Sequence, residues 1–462
     1  MLFSSIPFLY YFLPCVLLLY AIAPRKLKNS VLLFSSLFFY GWGEPKYLIL
    51  MLISITQGYI FGRLVEKYRG KGLAKLFLTL SVVFSFAMLG YCKYADFFIS
   101  SFNAVTGLSI PLLKIALPIG ISFYTFQIVS YVIDVYRGDV AAQRNYINLA
   151  AYISMFPQLI AGPIVRYADI AAQLETRTHS TAKTALGVRR FVIGLSKKIL
   201  LANVLGELVD VFKNTNDQSV LFYWLYAVAY TLHIYFDFSG YSDMAIGLGH
   251  IFGFDFLENF NYPFISRSIT EFWRRWHMSL GSWFRDYVYI PLGGSRVKTK
   301  RRLYLNIFVV WLLTGVWHGE KWTYIAWGMM YFALLCAERI LGWSGKKTWY
   351  SWLYTIYFFV AGNVVFRSEN VTGAIKYLLA MFNIHTSGLT DAKAVYYFAE
   401  YIPFLIMGIV AAMPIAVWLR SRTGRFKEAI DRLYPIWCAA VFLVALSFVV
   451  KGGYNPFIYF DF

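Results

Sequence analysis

Charge is what this sequence has least of. Only 15% of its 462 residues are Asp, Glu, Lys or Arg, against about 25% in an ordinary soluble domain. Mean hydropathy is +0.55. That balance excludes a disordered chain, a collagen-like or coiled-coil rod, and a soluble enzyme. Cysteine is scarce as well. Cys15, Cys92, Cys336 and Cys438 all lie in apolar surroundings, and their spacing makes neither a disulfide framework nor a zinc site. The chain also lacks a GxxxxGK[ST] phosphate loop, a GxSxG nucleophile elbow and an HExxH metal helix. ATP hydrolysis, Ser-His-Asp hydrolysis and zinc chemistry are therefore unsupported, and no metal site is expected. No repeat occurs, and the longest polar stretch, 367–396, is too short for a soluble domain.

Acidic residues are outnumbered: 43 Lys and Arg against 24 Asp and Glu give a net charge of +19. In a soluble protein this would suggest nucleic acid. Here the cations cluster at 25–28, 63–75, 137–144, 177–198, 267–302, 339–347 and 420–432, between apolar runs. The positive-inside rule accounts for that pattern, so these are expected to be cytoplasmic loops and no nucleic-acid partner is expected. Part of the excess is free to serve an anionic substrate such as a phosphorylated cofactor.

Apolar runs fill the intervals at 6–24, 29–43, 47–62, 76–92, 112–135, 191–212, 219–253, 303–319, 322–341, 350–366, 397–419 and 433–450. They predict an all-α multi-pass membrane protein with roughly 10–12 transmembrane helices, read as a single integral-membrane domain over 1–462. Ala21-Ile22-Ala23 has the form of a signal-peptidase site, but the cations Arg25, Lys26 and Lys28 follow the first run instead of preceding it. A retained first helix with its N-terminus outside is therefore expected. Two stretches are not simple spans. Residues 148–165 contain Pro157 and Gly162-Pro163, and residues 254–295 mix Trp and Phe with Arg, Asp and His. Irregular backbone survives in lipid only when protein or a water-filled cavity surrounds it, so both are expected to be re-entrant or interfacial segments of the interior.

Histidine is rare, and an ionisable residue within a membrane span is a functional candidate by default. His318 ends the run from Trp311 through Gly315-Val-Trp-His318. A helix starting near Arg302 would carry it roughly 22 Å into the membrane. His277 lies in a dense aromatic and charged segment, where i,i+4 spacing would put it on one helix face with Trp273 and would pair Glu271 with Arg275. Asp237 and Asp243 lie on an otherwise apolar span. They suit either a polar network with Ser239, Tyr241 and Ser242 or the ion coupling of a transporter. His233 and His250 are expected to be packing residues, and His179 and His385 fall in polar loops. A buried base suits group transfer from an activated donor, where deprotonating a hydroxyl is the main task.

Two segments then carry a resemblance. Phe272-Trp-Arg-Arg-Trp-His-Met-Ser-Leu-Gly-Ser-Trp-Phe-Arg-Asp-Tyr-Val-Tyr-Ile-Pro-Leu-Gly-Gly-Ser-Arg296 and Thr314-Gly-Val-Trp-His-Gly-Glu-Lys-Trp322 resemble the two histidine segments of membrane-bound O-acyltransferases. The Tyr-Ile-Pro-Leu-Gly-Gly ending is similar to the alginate O-acetyltransferase branch. Phe156-Pro-Gln-Leu-Ile-Ala-Gly-Pro163, Asp237-Phe-Ser-Gly-Tyr-Ser-Asp243 and Phe457-Ile-Tyr-Phe-Asp-Phe462 support it. Glu320 departs from the pattern, where alanine is more usual.

The resemblance implies transmembrane, re-entrant and interfacial helices around a central funnel, with His318 and His277 as the catalytic pair. Trp276, Trp317, Arg274, Arg275, Arg285, Asp286 and Asp237 are expected to support the channel, with Glu271 and Asp286 pairing the arginines. Lys298, Lys300, Arg301 and Arg302 are expected to grip the phosphates of the donor. The implied donor is cytoplasmic acetyl-CoA, with no bound cofactor, and the implied acceptor an extracytoplasmic polysaccharide. An SGNH-type acetyltransferase partner outside a bacterial inner membrane is expected to complete delivery. D-alanyl or other acyl transfer from a carrier-protein thioester, an ion-coupled transporter, and a scaffold for the surface enzyme are the alternatives.

Overall fold

The computed structural model describes residues 1–213, 218–343, 348–421 and 425–452. The motif at 457–462 and parts of the basic runs at 339–347 and 420–432 lie outside the described residues. Every regular element among the described residues is helical, and none is a strand. Four helices there are long and apolar enough to cross a membrane: Pro45–Lys67, Gly72–Thr106, Ala392–Ala412 and Arg432–Lys451. They expose apolar side chains such as Leu76, Leu80 and Val83 on Gly72–Thr106, which hydrocarbon accepts. On the long helix Val220–Ile251 the polar side chains that lower the hydropathy are largely surrounded by the protein itself. Val220–Ile251 carries His233, Asp237, Asp243 and His250, and residues 229–249 are buried without a gap. This is an all-α membrane protein.

The chain folds as two compact units: Met1–Phe191 with Ser242–Leu257, and Val192–Tyr241 with Glu258–Phe462. In the first, Ile121–Arg137 is buried over most of its length, and its neighbours reach it over glycine. A Cβ at Gly58 would meet Ile128 Cγ2 at 2.9 Å, and one at Gly62 would meet Tyr131 Cε1 at 2.7 Å. The expected span at 112–135 starts later than its apolar pattern suggests. Pro111 and Pro118 interrupt 107–118, which has no regular structure. The helix begins only after Gly120, at φ +74, where a Cβ would stand 2.6 Å from the Leu159 carbonyl. The stretch 148–165 is interior, as its prolines suggested. Tyr146–Ser154 and Phe156–Leu159 are short helices, and residues 149–165 are all buried. His179 is not an isolated loop residue: its Nε2 lies 2.9 Å from the Tyr20 hydroxyl. His385 occupies a left-handed turn at φ 61.

In the second unit Lys300–His318 and Trp322–Ile340 form a hairpin through a three-residue connection. Small residues set their separation. A Cβ at Gly315 would stand 2.6 Å from the Tyr324 carbonyl, and one at Gly328 would stand 2.5 Å from the Trp311 carbonyl. The same device brings Lys198 to Asp237. Gly240 lies one helical turn beyond Asp237, and a Cβ there would meet the Gly194 carbonyl at 2.8 Å. Lys198 Nζ then lies 2.6 Å from Asp237 Oδ1, with both side chains almost wholly buried. His233, one turn earlier, places Nδ1 2.6 Å from the Ala202 carbonyl, so it is a packing residue as expected.

Removing one partner of a buried ion pair leaves the other charge stranded, at about 3–5 kcal/mol. Lys198→Ala is therefore expected to lower the unfolding temperature in nanodiscs sharply, while Lys198→Met with Asp237→Leu recovers most of the loss. An unshifted temperature in the single variant would show that the pair carries no such energy.

Candidate active site

The segment from Asn259 to Tyr289 belongs to the second unit and is built of short pieces: Pro263–Ile265, Ile269–Arg275, Met278–Phe284 and Arg285–Tyr289. Each break exposes backbone groups that must find partners inside the protein. Ser268 caps the helix Ile269–Arg275 by accepting from the Glu271 N–H at 3.0 Å. Glu338, only 1% exposed, accepts from the Ile269 N–H at 2.5 Å, the Thr270 N–H at 3.0 Å and the Thr270 hydroxyl at 2.7 Å. At the far end, Asn261 N–H donates to the Arg275 carbonyl at 2.9 Å and Met278 N–H donates to the Asn259 carbonyl at 3.0 Å.

Between those two bonds the chain turns sharply. Trp276 is extended at φ −107, ψ 129, and His277 is left-handed at φ 46, ψ 52. The expected helical face shared by Trp273 and His277 therefore does not exist. The i,i+4 pairing of Glu271 with Arg275, inside the helix, does form: Nη2 lies 2.9 Å from Oε1. A left-handed non-glycine residue persists only where its surroundings hold it. His277 is held at Nδ1, 3.1 Å from Asn259 Oδ1, and by ring contacts to Phe238 at 4.7 Å and Trp317 at 6.1 Å between centroids. Burial holds this imidazole, which lies outside the spanning helices, well below the ordinary histidine range, at about 3.

His318 is the last residue of Lys300–His318. Its ring meets Trp317 at 4.8 Å, Trp327 at 5.0 Å and Phe366 at 5.1 Å. A cavity of about 760 Å³ is lined by both His277 and His318, together with Trp273, Arg274, Trp276, Arg285, Trp311, Trp327 and Asn363. Its wall is interlocked: Trp273 packs against Trp311 at 5.0 Å, Trp327 at 5.4 Å and Tyr331 at 4.8 Å. Two imidazoles on one aromatic-walled cavity can bind, orient and deprotonate a hydroxyl.

The other expected residues divide. Arg274 lines the cavity and forms no ion pair among the described residues. Arg285 also lines it, and its guanidinium forks onto Asp286 at 2.7 and 3.0 Å. Arg275 and Asp286 fasten the segment from outside the lining. Trp317 separates the two histidines without lining the cavity. Asp237 does not line it either, being engaged by Lys198. Asp243, in the first unit, pairs with Arg190 at 2.6 Å. Both carboxylates thus have cationic partners absent from the expected serine and tyrosine network. Lys298, Lys300, Arg301 and Arg302 are exposed on the first turn of Lys300–His318 and just before it, and do not line the cavity. Asn259, Glu338 and Lys198 were missed. The first two are single polar residues outside any spacing pattern, and Lys198 ends a basic run in which nothing in the sequence sets it apart from the other cations.

The comparisons with known proteins place this helical membrane protein in an acyltransferase class. The profile of the MBOAT, membrane-bound O-acyltransferase family, matches residues 140–382, and the chain belongs to that family. Similar proteins include one named "Probable alginate O-acetylase AlgI" in Azotobacter vinelandii, 40% identical over 100% of both chains. Another of the same name in Pseudomonas aeruginosa is 44% identical over 85% of this chain and 76% of that one. A "Peptidoglycan O-acetyltransferase" of Helicobacter pylori is 33% identical over 83% of this chain and 80% of its own.

Glu338→Ala would leave the Ile269 and Thr270 donors unpaired at about 1–3 kcal/mol each. The expected result is a lower unfolding temperature together with a fall in kcat, because the helix that leads to His277 loses its anchor. An unchanged kcat in the folded variant would detach Glu338 from the site.

Proposed function

We propose that the chain moves acetyl groups from cytoplasmic acetyl-CoA, across a bacterial inner membrane, for O-acetylation of an extracytoplasmic polysaccharide. The observation that carries this reading is that His277 and His318 line the same aromatic-walled cavity. His318 acts as general base: it takes the acceptor hydroxyl's proton as that oxygen attacks the thioester carbonyl. The carbon–sulfur bond then breaks, and the coenzyme A thiolate recovers a proton. His277 orients the reactants. Lys298, Lys300, Arg301 and Arg302 hold the donor's phosphates at the cytoplasmic start of the helix that ends in His318. The relatives' names, which concern alginate and peptidoglycan, support a glycan acceptor. An SGNH-type acetyltransferase outside the membrane receives the group and completes its delivery.

General-base catalysis contributes about 10²–10⁴-fold. His318→Ala in nanodiscs is therefore expected to abolish release of free coenzyme A from radiolabelled acetyl-CoA while retaining the wild-type unfolding temperature. Cleavage at the wild-type rate would remove His318 from the reaction. A wild-type protein that cleaves only a carrier-protein D-alanyl thioester would replace the donor. Changing Lys298, Lys300, Arg301 and Arg302 together to Gln is expected to raise the KM for acetyl-CoA several-fold with kcat retained. An unchanged KM would leave these cations a topological role alone.

A further inference from the structure

The side chain of Asn259 is fully buried against the turn that carries His277. Its Oδ1 accepts from the Ser279 hydroxyl at 2.8 Å and from the Ser279 backbone N–H at 3.3 Å. A backbone N–H can only donate, so the atom facing it is the amide oxygen and the amide cannot be reversed. His277 Nδ1 lies 3.1 Å from that same oxygen. Ser279 Oγ also lies 3.5 Å from Nδ1, but its one hydrogen goes to the nearer Asn259 Oδ1 at 2.8 Å. Two lone pairs would repel across the 3.1 Å between Nδ1 and Oδ1, so Nδ1 carries a hydrogen and donates it. In a neutral imidazole the other nitrogen then has none. A second hydrogen would make an imidazolium, 4% exposed and flanked by Phe238 and Trp317, a charge that burial disfavours. Nε2 is buried and has no hydrogen-bond partner among the described residues.

We infer that Asn259 is a positioning residue that fixes His277 as its Nδ1–H tautomer, so that His277 meets substrate only as a hydrogen-bond acceptor. Its Nε2 takes a bond from a substrate O–H or N–H other than the proton removed by His318. It cannot donate to the thioester carbonyl, and the two histidines therefore do not share the task of polarising it. The inference rests on the reaction proposed above for its consequence, but the tautomer itself does not.

Magic-angle NMR of the full chain, histidine-labelled with ¹⁵N in nanodiscs, reads the tautomer directly, with His277→Gln identifying the signal. The wild type is expected to show a protonated Nδ1 and a bare Nε2; a protonated Nε2 would overturn the inference without any variant at Asn259 being needed. Asn259→Leu is expected to mix the tautomers and lower kcat at unchanged KM, by up to about the 10⁴-fold that a wholly wrong tautomer costs elsewhere. Asn259→Asp, which keeps an acceptor facing Nδ1, is expected to restore most of the rate. His277→Gln, whose amide reaches the Nε2 position, is expected to retain more activity than His277→Asn, and equal loss in both would refute the acceptor role. A wild type inactive with every acyl donor would defeat the proposed reaction and leave the tautomer measurement standing.

Discussion

A backbone that leaves helical geometry inside a membrane protein must find a partner for every N–H it frees. That requirement governs the second unit. The turn at Trp276 and His277 exists because 259–261 runs beside it and exchanges two backbone bonds with 275 and 278. The helix before the turn begins where Glu338 receives three donors. Without those acceptors the segment from 269 to 289 would be a continuous helix or would face unpaired groups in an apolar interior. His277 is thus delivered to the cavity by hydrogen bonding, whereas His318 is delivered by plain helix length.

The two modes of delivery suit different tasks. His318, half-buried at a helix end and ringed by Trp317, Trp327 and Phe366, lines the cavity. His277 has one nitrogen committed to Asn259, and its ring is clamped between aromatic neighbours. On the proposed reading, a ring held this tightly suits orientation of the reactants. The charged pairs around the site contribute differently. Lys198 with Asp237, buried together, neutralise each other and hold the helix that carries Phe238 against the segment at 194–198.

Much of this was legible beforehand. Low charge, recurrent apolar runs and the prolines at 157 and 163 predicted helices, a membrane and an irregular interior. The rarity of histidine singled out His277 and His318. What sequence could not supply was partnership across distance. Lys198 looked like one cation among many in a basic run, and only the close approach permitted by Gly240 makes it the partner of Asp237. The pairing of Trp273 with His277 failed because helical periodicity cannot announce a left-handed residue that is neither glycine nor asparagine. The same periodicity succeeded for Glu271 and Arg275, which lie wholly inside one helix.

One helix carries both ends of the proposed donor site, with its cations at Lys300, Arg301 and Arg302 and its base at His318. Eighteen residue steps at 1.5 Å separate those ends by about 27 Å. On the proposed reading this makes the helix a ruler. A donor anchored by phosphate at the first turn reacts at the last only if its flexible arm covers that span. A thioester on a shorter arm leaves one end empty however well its acyl group fits the aromatic chamber, so selection among donors would be by reach as much as by recognition of the group transferred.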